Sequence, residues 1–322
     1  MWNENLNKDY KSVNQVKRCP WCGDFIVLNQ LQKQFAKMDM PHENFVVVAW
    51  IWCAGRFPYY MNTYGFHTIH GRAPTIATGI KLTNDKLQVW VITGDWDWLS
   101  IWWNHLLHAI RKNIWIKILM LNNSIYALTK WQLSPTSNIW SITKTSPDWS
   151  TEKPINPAKF AISQECSYVA RSIDTEIATT ADILDRASNH KWTVFIEILQ
   201  KCITFNPKNL EELRNPETKE DYILRVENNK PLIFWKDKNK WIIIENFKPK
   251  IIQFEDKIPD NVIIYDETNY ELVHIISNLS YPDLPTAIGT LYINNTEPYK
   301  NSTTTKNRTT KEILEDWDIF EI

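Results

Sequence analysis

Four short, continuous apolar runs constrain the fold of this chain more than any other feature: Phe45 to Ile51 (FVVVAWI), Leu87 to Thr93 (LQVWVIT), Ile116 to Leu121 (IKILML) and Thr193 to Leu199 (TVFIEIL). Each reads as a strand covered on both faces, the condition inside a parallel sheet. Stretches of helical character lie between and around them, at Asp24 to Lys37, Ala73 to Lys81, Leu99 to Arg111, Pro157 to Ser163 and Ile177 to Ser188. Strand alternating with helix predicts an α/β fold built on a doubly wound, mostly parallel sheet. A length of 322 residues with 43% apolar content is enough to fill such a core.

After Cys202 the character changes. Residues 203 to 280 are charged, rich in Asn and Lys, and contain further strands, while Asn294 to Lys311 (NNTEPYKNSTTTKNRTTK) is a polar low-complexity run expected to form a mobile arm. The closing EILEDWDIFEI has the pattern of a short amphipathic docking helix. The expected organisation is therefore one binding domain over 1–206 and a C-terminal extension over 207–322.

A formal charge of −1, from 36 basic and 37 acidic residues, gives no electrostatic reason to expect nucleic acid or an anionic membrane as partner. No apolar run approaches the roughly 18 residues of a membrane span. The opening MWNENLNKDYKSVNQ lacks the apolar stretch of a signal peptide, so the expected compartment is the cytoplasm. Reducing conditions there argue against a disulfide framework for Cys19, Cys22, Cys53, Cys166 and Cys202.

Three constellations have the residue types for chemistry. Cys19-Pro20-Trp21-Cys22, with Cys53 and Cys202, supplies a close thiolate pair and two distal partners, suited to zinc or an iron–sulfur cluster. The alternative for any of these is a buried thiol acting as a small hydrophobe, which is the reading adopted for Cys166 in ECSYVAR. Gly94-Asp95 follows a buried strand and precedes a helix, and Asn123 comes 28 residues after Asp95. Such oxygen donors at neighbouring strand ends suit Mg²⁺ on a diphosphate, or else form an N-cap and a turn. His67 to Ala73 (HTIHGRA) opens a helix with groups suited to a diphosphate or carboxylate, or to a solvated cap. His105 and His108, one turn apart, read as packing or surface residues.

Taken together, the stretches from about residue 18 to 206 resemble the β subunits of the 2-oxoacid:ferredoxin oxidoreductases. Those subunits carry CPGCGDF where this chain has CPWCGDF (Cys19 to Phe25), and GIGC where it has WIWC (Trp50 to Cys53). PYYMNTYGFHTIHGRA (Pro58 to Ala73), GDWDWLSIWWNHLLHAIRKN (Gly94 to Asn113) and LNNSIYALTKWQLSPTS (Leu121 to Ser137) follow the family pattern in the same order. The resemblance implies a thiamine diphosphate-binding fold with Mg²⁺ and one [4Fe-4S] cluster. It implies Cys19, Cys22, Cys53 and Cys202 as cluster ligands, and Asp95, Asn123 and the Ile125 carbonyl as Mg²⁺ ligands. Ile51, Trp52, Cys53, Ala54, His70, Gly71, Arg72, Ala73, Trp96, Asp97, Ala127 and Leu128 fall at cofactor-contacting positions. Arg56 falls at the position that meets the substrate carboxylate. The implied activity is decarboxylation of a 2-oxoacid, with 2-oxoglutarate favoured over pyruvate, on the thiazolium carbanion of the cofactor. Coenzyme A takes the acyl group, the cluster passes electrons to ferredoxin, and an α subunit supplies the acid that activates the cofactor. Residues 207–322 are weakly matched, mainly at LPTAIGTLYINNTEPY, and receive no chemistry.

The departures from the family pattern are nearly all of one kind. Trp21, Trp50, Trp52, Trp96, Trp98, Trp102, Trp103 and Trp131 stand where the family has glycine, and Trp140, Trp149, Trp192, Trp235 and Trp241 are grouped with them; Trp90 and Trp317 are ordinary tryptophans. Gly 7 against Trp 17 is the matching imbalance, since average usage of about 7% glycine would give roughly three times as many. Independent mutation scatters over many residue types, whereas a single-valued replacement points to decoding: UGA codons read as glycine in the cell and written as tryptophan here. That reading expects indoles to crowd the cofactor loop, and adjacent Trp102 and Trp103 to overpack a helix–strand contact. If the tryptophans are real, the alternative is a non-catalytic Cys₄ zinc- or cluster-bearing structural subunit that has lost thiamine diphosphate.

Overall fold

The computed structural model describes residues 10–101, 103–254 and 262–294. Its strands are β1 (Phe45–Ala49), β2 (Tyr64–His67), β3 (Gln88–Gly94), β4 (Ile116–Asn122), β5 (Tyr168–Ile173), β6 (Val194–Leu199), β7 (Ile223–Val226), β8 (Ile233–Phe234), β9 (Lys240–Glu245), β10 (Lys248–Gln253) and β11 (Thr286–Ile293). Its helices are α1 (Asp24–Lys37), α2 (Trp52–Gly55), α3 (Phe57–Tyr60), α4 (Ala73–Thr83), α5 (Asp95–Ser100), α6 (Trp103–Lys112), α7 (Pro157–Ser163), α8 (Ile177–Asn189), α9 (Glu211–Arg214), α10 (Lys219–Tyr222) and α11 (Tyr270–Ile276).

One eight-stranded sheet runs in the order β2-β1-β3-β4-β6-β5-β11-β7. The first six strands pair in parallel. The four strands read from the sequence are β1, β3, β4 and β6, which lie side by side at its centre. Successive residues of β1 feed opposite cores. Val46 and Val48 pack with α4, α6 and α7 on one face, and Phe45, Val47 and Ala49 pack with α1, α3 and α8 on the other. Burial on both faces is why these strands carry no polar alternation, and the doubly wound α/β expectation holds.

Local chemistry sets the helix ends. Asn156 caps α7 by accepting the Lys159 N–H at 3.0 Å, with Pro157 in the first turn. The single helix expected over Leu99 to Arg111 is two, α5 and α6, with α5 ending at Ser100.

Beyond residue 206, β7 and β11 join the main sheet. Strand β11 pairs antiparallel with β5 and parallel with β7. Gly289 makes this contact possible: at φ +121, a Cβ there would lie 2.4 Å from the Val226 carbonyl oxygen. Strands β10, β9 and β8 form a separate three-stranded antiparallel sheet. The low-complexity run from residue 295 onward and the closing EILEDWDIFEI lie outside the described residues. Among the described residues no helix is long and apolar enough to cross a membrane.

Candidate functional site

The carboxyl ends of β1, β3, β4 and β6 gather most of the expected site residues, as ligand sites of open α/β sheets require. Strand β1 delivers Ile51 to Ala54, β3 delivers Asp95 to Asp97, β4 delivers Asn123 to Ala127, and β6 delivers Gln200 and Cys202. Two adjoining cavities lie there, sharing Trp52, Cys53, Asn123, Ala127 and Gln200 on their walls.

The smaller cavity holds the oxygen donors. Asp95 is buried at the start of α5, and its Oδ2 accepts hydrogen bonds from the hydroxyls of Ser134 at 2.5 Å and Thr136 at 2.7 Å. Burial pushes its carboxyl above the usual carboxylate range, opposed by these hydroxyls and by the Asn123 backbone N–H. The Asn123 side-chain oxygen accepts the Ile125 N–H at 3.2 Å, and Asp95, Asn123 and Ile125 share the cavity wall. Nearby, Asp97 accepts from the Thr93 hydroxyl at 3.3 Å and from the Gly71 backbone N–H. His70 Nδ1 lies 2.5 Å from Asp97 Oδ1, close but without hydrogen-bond alignment. Burial raises the Asp97 carboxyl to about 8 and lowers the His70 ring.

Trp96 fills the space these groups face. Its ring stacks between His70, at 5.1 Å and 9°, and Tyr126, at 3.8 Å and 18°. Trp50 covers the His70 ring at 4.5 Å. What remains is about 40 Å³, against roughly 300 Å³ at the low end for ligand pockets. Thiamine diphosphate does not fit this pocket while the indole of Trp96 is in it.

The larger cavity, about 390 Å³, is walled by Cys19, Cys22, Cys53 and Cys202, which are remote in sequence. All four thiols are free. Burial pushes Cys22 up to about 11 and Cys53 up to about 12. Among the described residues no three His, Cys, Asp or Glu side chains are gathered closely enough for a single metal ion, whose tetrahedral thiolate site needs sulfurs about 2.3 Å from one point. The four thiols line the wall of this one cavity. Arg18 and Asp24, which the sequence reading missed, form a buried ion pair in the same wall, with side chains 2% and 0% exposed. Gly23 lets α1 begin there, because a Cβ would lie 1.9 Å from the buried Asp174 carboxylate.

Other expected residues fall nearby with different partners. Arg56 is exposed, lines the cysteine cavity, and donates to the Lys17 carbonyl at 2.7 Å. Arg72 precedes α4 and contacts the His105 ring, while Ala73 is buried in the core. Leu128 is half-buried and lines neither cavity. Cys166 is buried under β5, as a packing thiol should be. Ser134 and Thr136, holding Asp95, were legible only as part of the SPTS stretch.

The tryptophans divide by backbone conformation. Trp21, Trp52, Trp131, Trp140, Trp149 and Trp235 lie at φ of 54 to 94°, the left-handed region that bulky residues avoid. They are six of the 17 non-glycine residues at positive φ among the described residues, whereas the described Phe and Tyr contribute only Phe247. Five of the six are exposed: Trp21, Trp52, Trp131, Trp140 and Trp149. Trp98 and Trp241 are buried, and the Trp103 ring lies against Phe160 at 4.1 Å, tilted by 37°. Trp102 lies outside the described residues.

Residues 45–198 match the model of the thiamine pyrophosphate enzyme C-terminal TPP binding domain. Among curated proteins, the chain is 40% identical over 259 residues to the 2-oxoglutarate oxidoreductase subunit KorB of Mycobacterium tuberculosis, covering 80% of this chain and 69% of that one. The chain belongs to the family of 2-oxoacid:ferredoxin oxidoreductase β subunits. A second β subunit, from 2-oxoacid:ferredoxin oxidoreductase 2 of Aeropyrum pernix, is 32% identical over 81% of this chain and 83% of its own. The fold agrees with that of the 2-oxoglutarate:ferredoxin oxidoreductase from Magnetococcus marinus, solved with 2-oxoglutarate, coenzyme A and succinyl-CoA bound. The TM-score is 0.76 at 25% identity, over 97% of this chain and 96% of that one. In this β subunit the domain match takes in the smaller cavity apart from Gln200, whereas most of the wall of the larger one, including Arg18, Cys19, Cys22, Asp24 and Cys202, lies outside it.

Proposed function

We propose that this β subunit, joined to an α subunit, carries out the oxidative decarboxylation of a 2-oxoacid to acyl-CoA and CO₂, passing electrons through a [4Fe-4S] cluster to ferredoxin. The observation that carries the reading is the meeting of four cysteines, drawn from residues 19 to 202, in one cavity beside the Asp95 and Asn123 pocket. In this proposal residues 1–206 hold both groups, and Cys19, Cys22, Cys53 and Cys202 ligate the cluster. Asp95, Asn123 and the Ile125 carbonyl hold Mg²⁺ on the diphosphate, and Ile51 to Ala54, His70 to Ala73, Asp97, Ala127 and Leu128 surround the cofactor. Arg56 meets the substrate carboxylate, which favours 2-oxoglutarate; relatives named for 2-oxoglutarate support that choice. The chain works in the cytoplasm, with 2-oxoacid and coenzyme A as substrates. Metal analysis of the anaerobically purified αβ complex tests the cluster: a brown protein with four irons per β subunit is expected, and a colourless zinc protein overturns the assignment.

The same function requires an open diphosphate pocket, and therefore glycine rather than tryptophan at position 96. The six left-handed tryptophans support glycine independently of the pocket, since glycine takes positive φ without steric cost. The reading is that these six, with Trp50, Trp96, Trp98, Trp102, Trp103, Trp192 and Trp241, thirteen positions in all, are encoded by UGA and decoded as glycine. Trp90 is the internal control, buried in β3 against Phe35 at 5.5 Å. The tryptic peptide Leu87 to Arg111 of the native protein should then weigh as one tryptophan and four additional glycines; a mass that fits five tryptophans overturns the decoding. In that case the closed pocket favours the second reading, a structural cluster-bearing subunit without thiamine diphosphate.

A further inference from the structure

The buried pair Arg18 and Asp24 has no role in ligation or substrate binding, yet it stands in the wall of the cysteine cavity. Burying a guanidinium is costly unless its donors are satisfied. Here one nitrogen meets Asp24, while Nε and Nη2 are buried with no hydrogen-bond partner. Asp24 Oδ1 is buried and unpartnered as well. The guanidinium is fixed in place, with its carbon 4.8 Å from the Phe57 ring centroid and 5.5 Å from that of Tyr60. Cys19, Cys22, Cys53 and Cys202 line the same cavity as Arg18. Two buried, unpartnered guanidinium nitrogens therefore stand in the wall of the cavity that the four cysteines line.

The geometry points to Arg18 as the residue that sets the reduction potential of the cluster, with Asp24 as its counterweight. This rests on the cluster assignment proposed above. Each electron taken up adds one negative charge to the cluster and its thiolates. A buried cation with unspent N–H donors in the cavity wall stabilises that reduced state and raises the potential. Asp24 opposes the effect by cancelling part of the charge and by drawing one nitrogen away. Arg18 is thus a positioning residue: it touches neither substrate nor thiamine diphosphate.

The opposed signs supply the test. The αβ complex, expressed with glycine at the thirteen positions, is loaded anaerobically and titrated potentiometrically while its reduced-cluster EPR signal is followed. Arg18→Gln should move the midpoint to more negative potential, and Asp24→Asn should move it to more positive potential, each with four irons per β subunit retained. Arg18→Lys, which keeps the charge but not the forked donors, should fall between wild type and Arg18→Gln. If Arg18→Gln does not hold iron, Asp24→Asn decides by the sign of its shift. A midpoint that stays put in an iron-replete variant, or shifts of the same sign in both, overturns the inference. Absence of iron from the wild-type complex would instead overturn the cluster assignment on which it rests.

Discussion

Trp96 decides whether the pocket at the end of β3 can take a diphosphate, because its ring occupies the gap between His70 and Tyr126. Replacing it alone, as Trp96→Gly, should tighten Mg²⁺-dependent binding of thiamine diphosphate by at least about tenfold, or about 1.4 kcal/mol, measured by calorimetry; unchanged binding would mean the ring is not the plug. Arg56 makes a different prediction, since only a dicarboxylate has a second anionic end to lose. Arg56→Ala should raise KM for 2-oxoglutarate by about tenfold or more while leaving that for pyruvate nearly unchanged, as removing a charge-assisted hydrogen bond costs about 1.5–3 kcal/mol. Equal effects on both substrates would remove Arg56 from the substrate contact. His190 offers a pH test. Burial, with the Lys117 and Arg186 charges nearby, lowers its pKa from 6.5 to about 4. The unfolded chain therefore binds more protons than the folded one between these values, and His190 contributes stability above 6.5 that is lost as pH falls towards 4. Thermal melts should show Tm falling through that window, with a shallower fall in His190→Gln.

At the level of elements, β11 joins the C-terminal half to the main sheet, and Gly289 is its narrowest point. Gly289→Ala places a methyl against the Val226 carbonyl in a backbone conformation that disfavours alanine, and should destabilise by more than about 1 kcal/mol; an unchanged Tm would mean that the close approach is not needed. The central strands were legible because nothing interrupts their apolar runs. Strand β5 was legible only in part, as the strand-like ECSYVAR, because Arg171 sits in it and is neutralised by Glu197 at 2.7 Å, a compensation between strands that no local pattern reveals. Edge strand β2 is exposed at every residue and carries no buried-strand signal. The break between α5 and α6 was hidden because Leu99 to Arg111 is helical in character on both sides of it. The cysteines and the Asp95 loop were legible through their motifs, whereas Arg18 and Asp24 were not, since a single charged residue beside a cysteine has no spacing signature. Ser134 and Thr136 reach Asp95 across 39 and 41 residues of chain, which only the fold brings together.

At the scale of the whole molecule, two cavities share a wall that includes Cys53, so a group in the pocket and a cluster among the cysteines would be neighbours. That adjacency is what a reaction coupling decarboxylation to one-electron transfer needs, and neither cavity alone would serve it. The direct measurement is the reduction of ferredoxin by purified proteins under anaerobic conditions, with glycine at the thirteen positions and with the α subunit, 2-oxoacid and coenzyme A each supplied or withheld. The account predicts reduction only when all three are present, faster with 2-oxoglutarate than with pyruvate. Full-rate acyl-CoA formation by this chain without its α subunit, or no reduction by the complete, iron- and thiamine-replete complex, would contradict it.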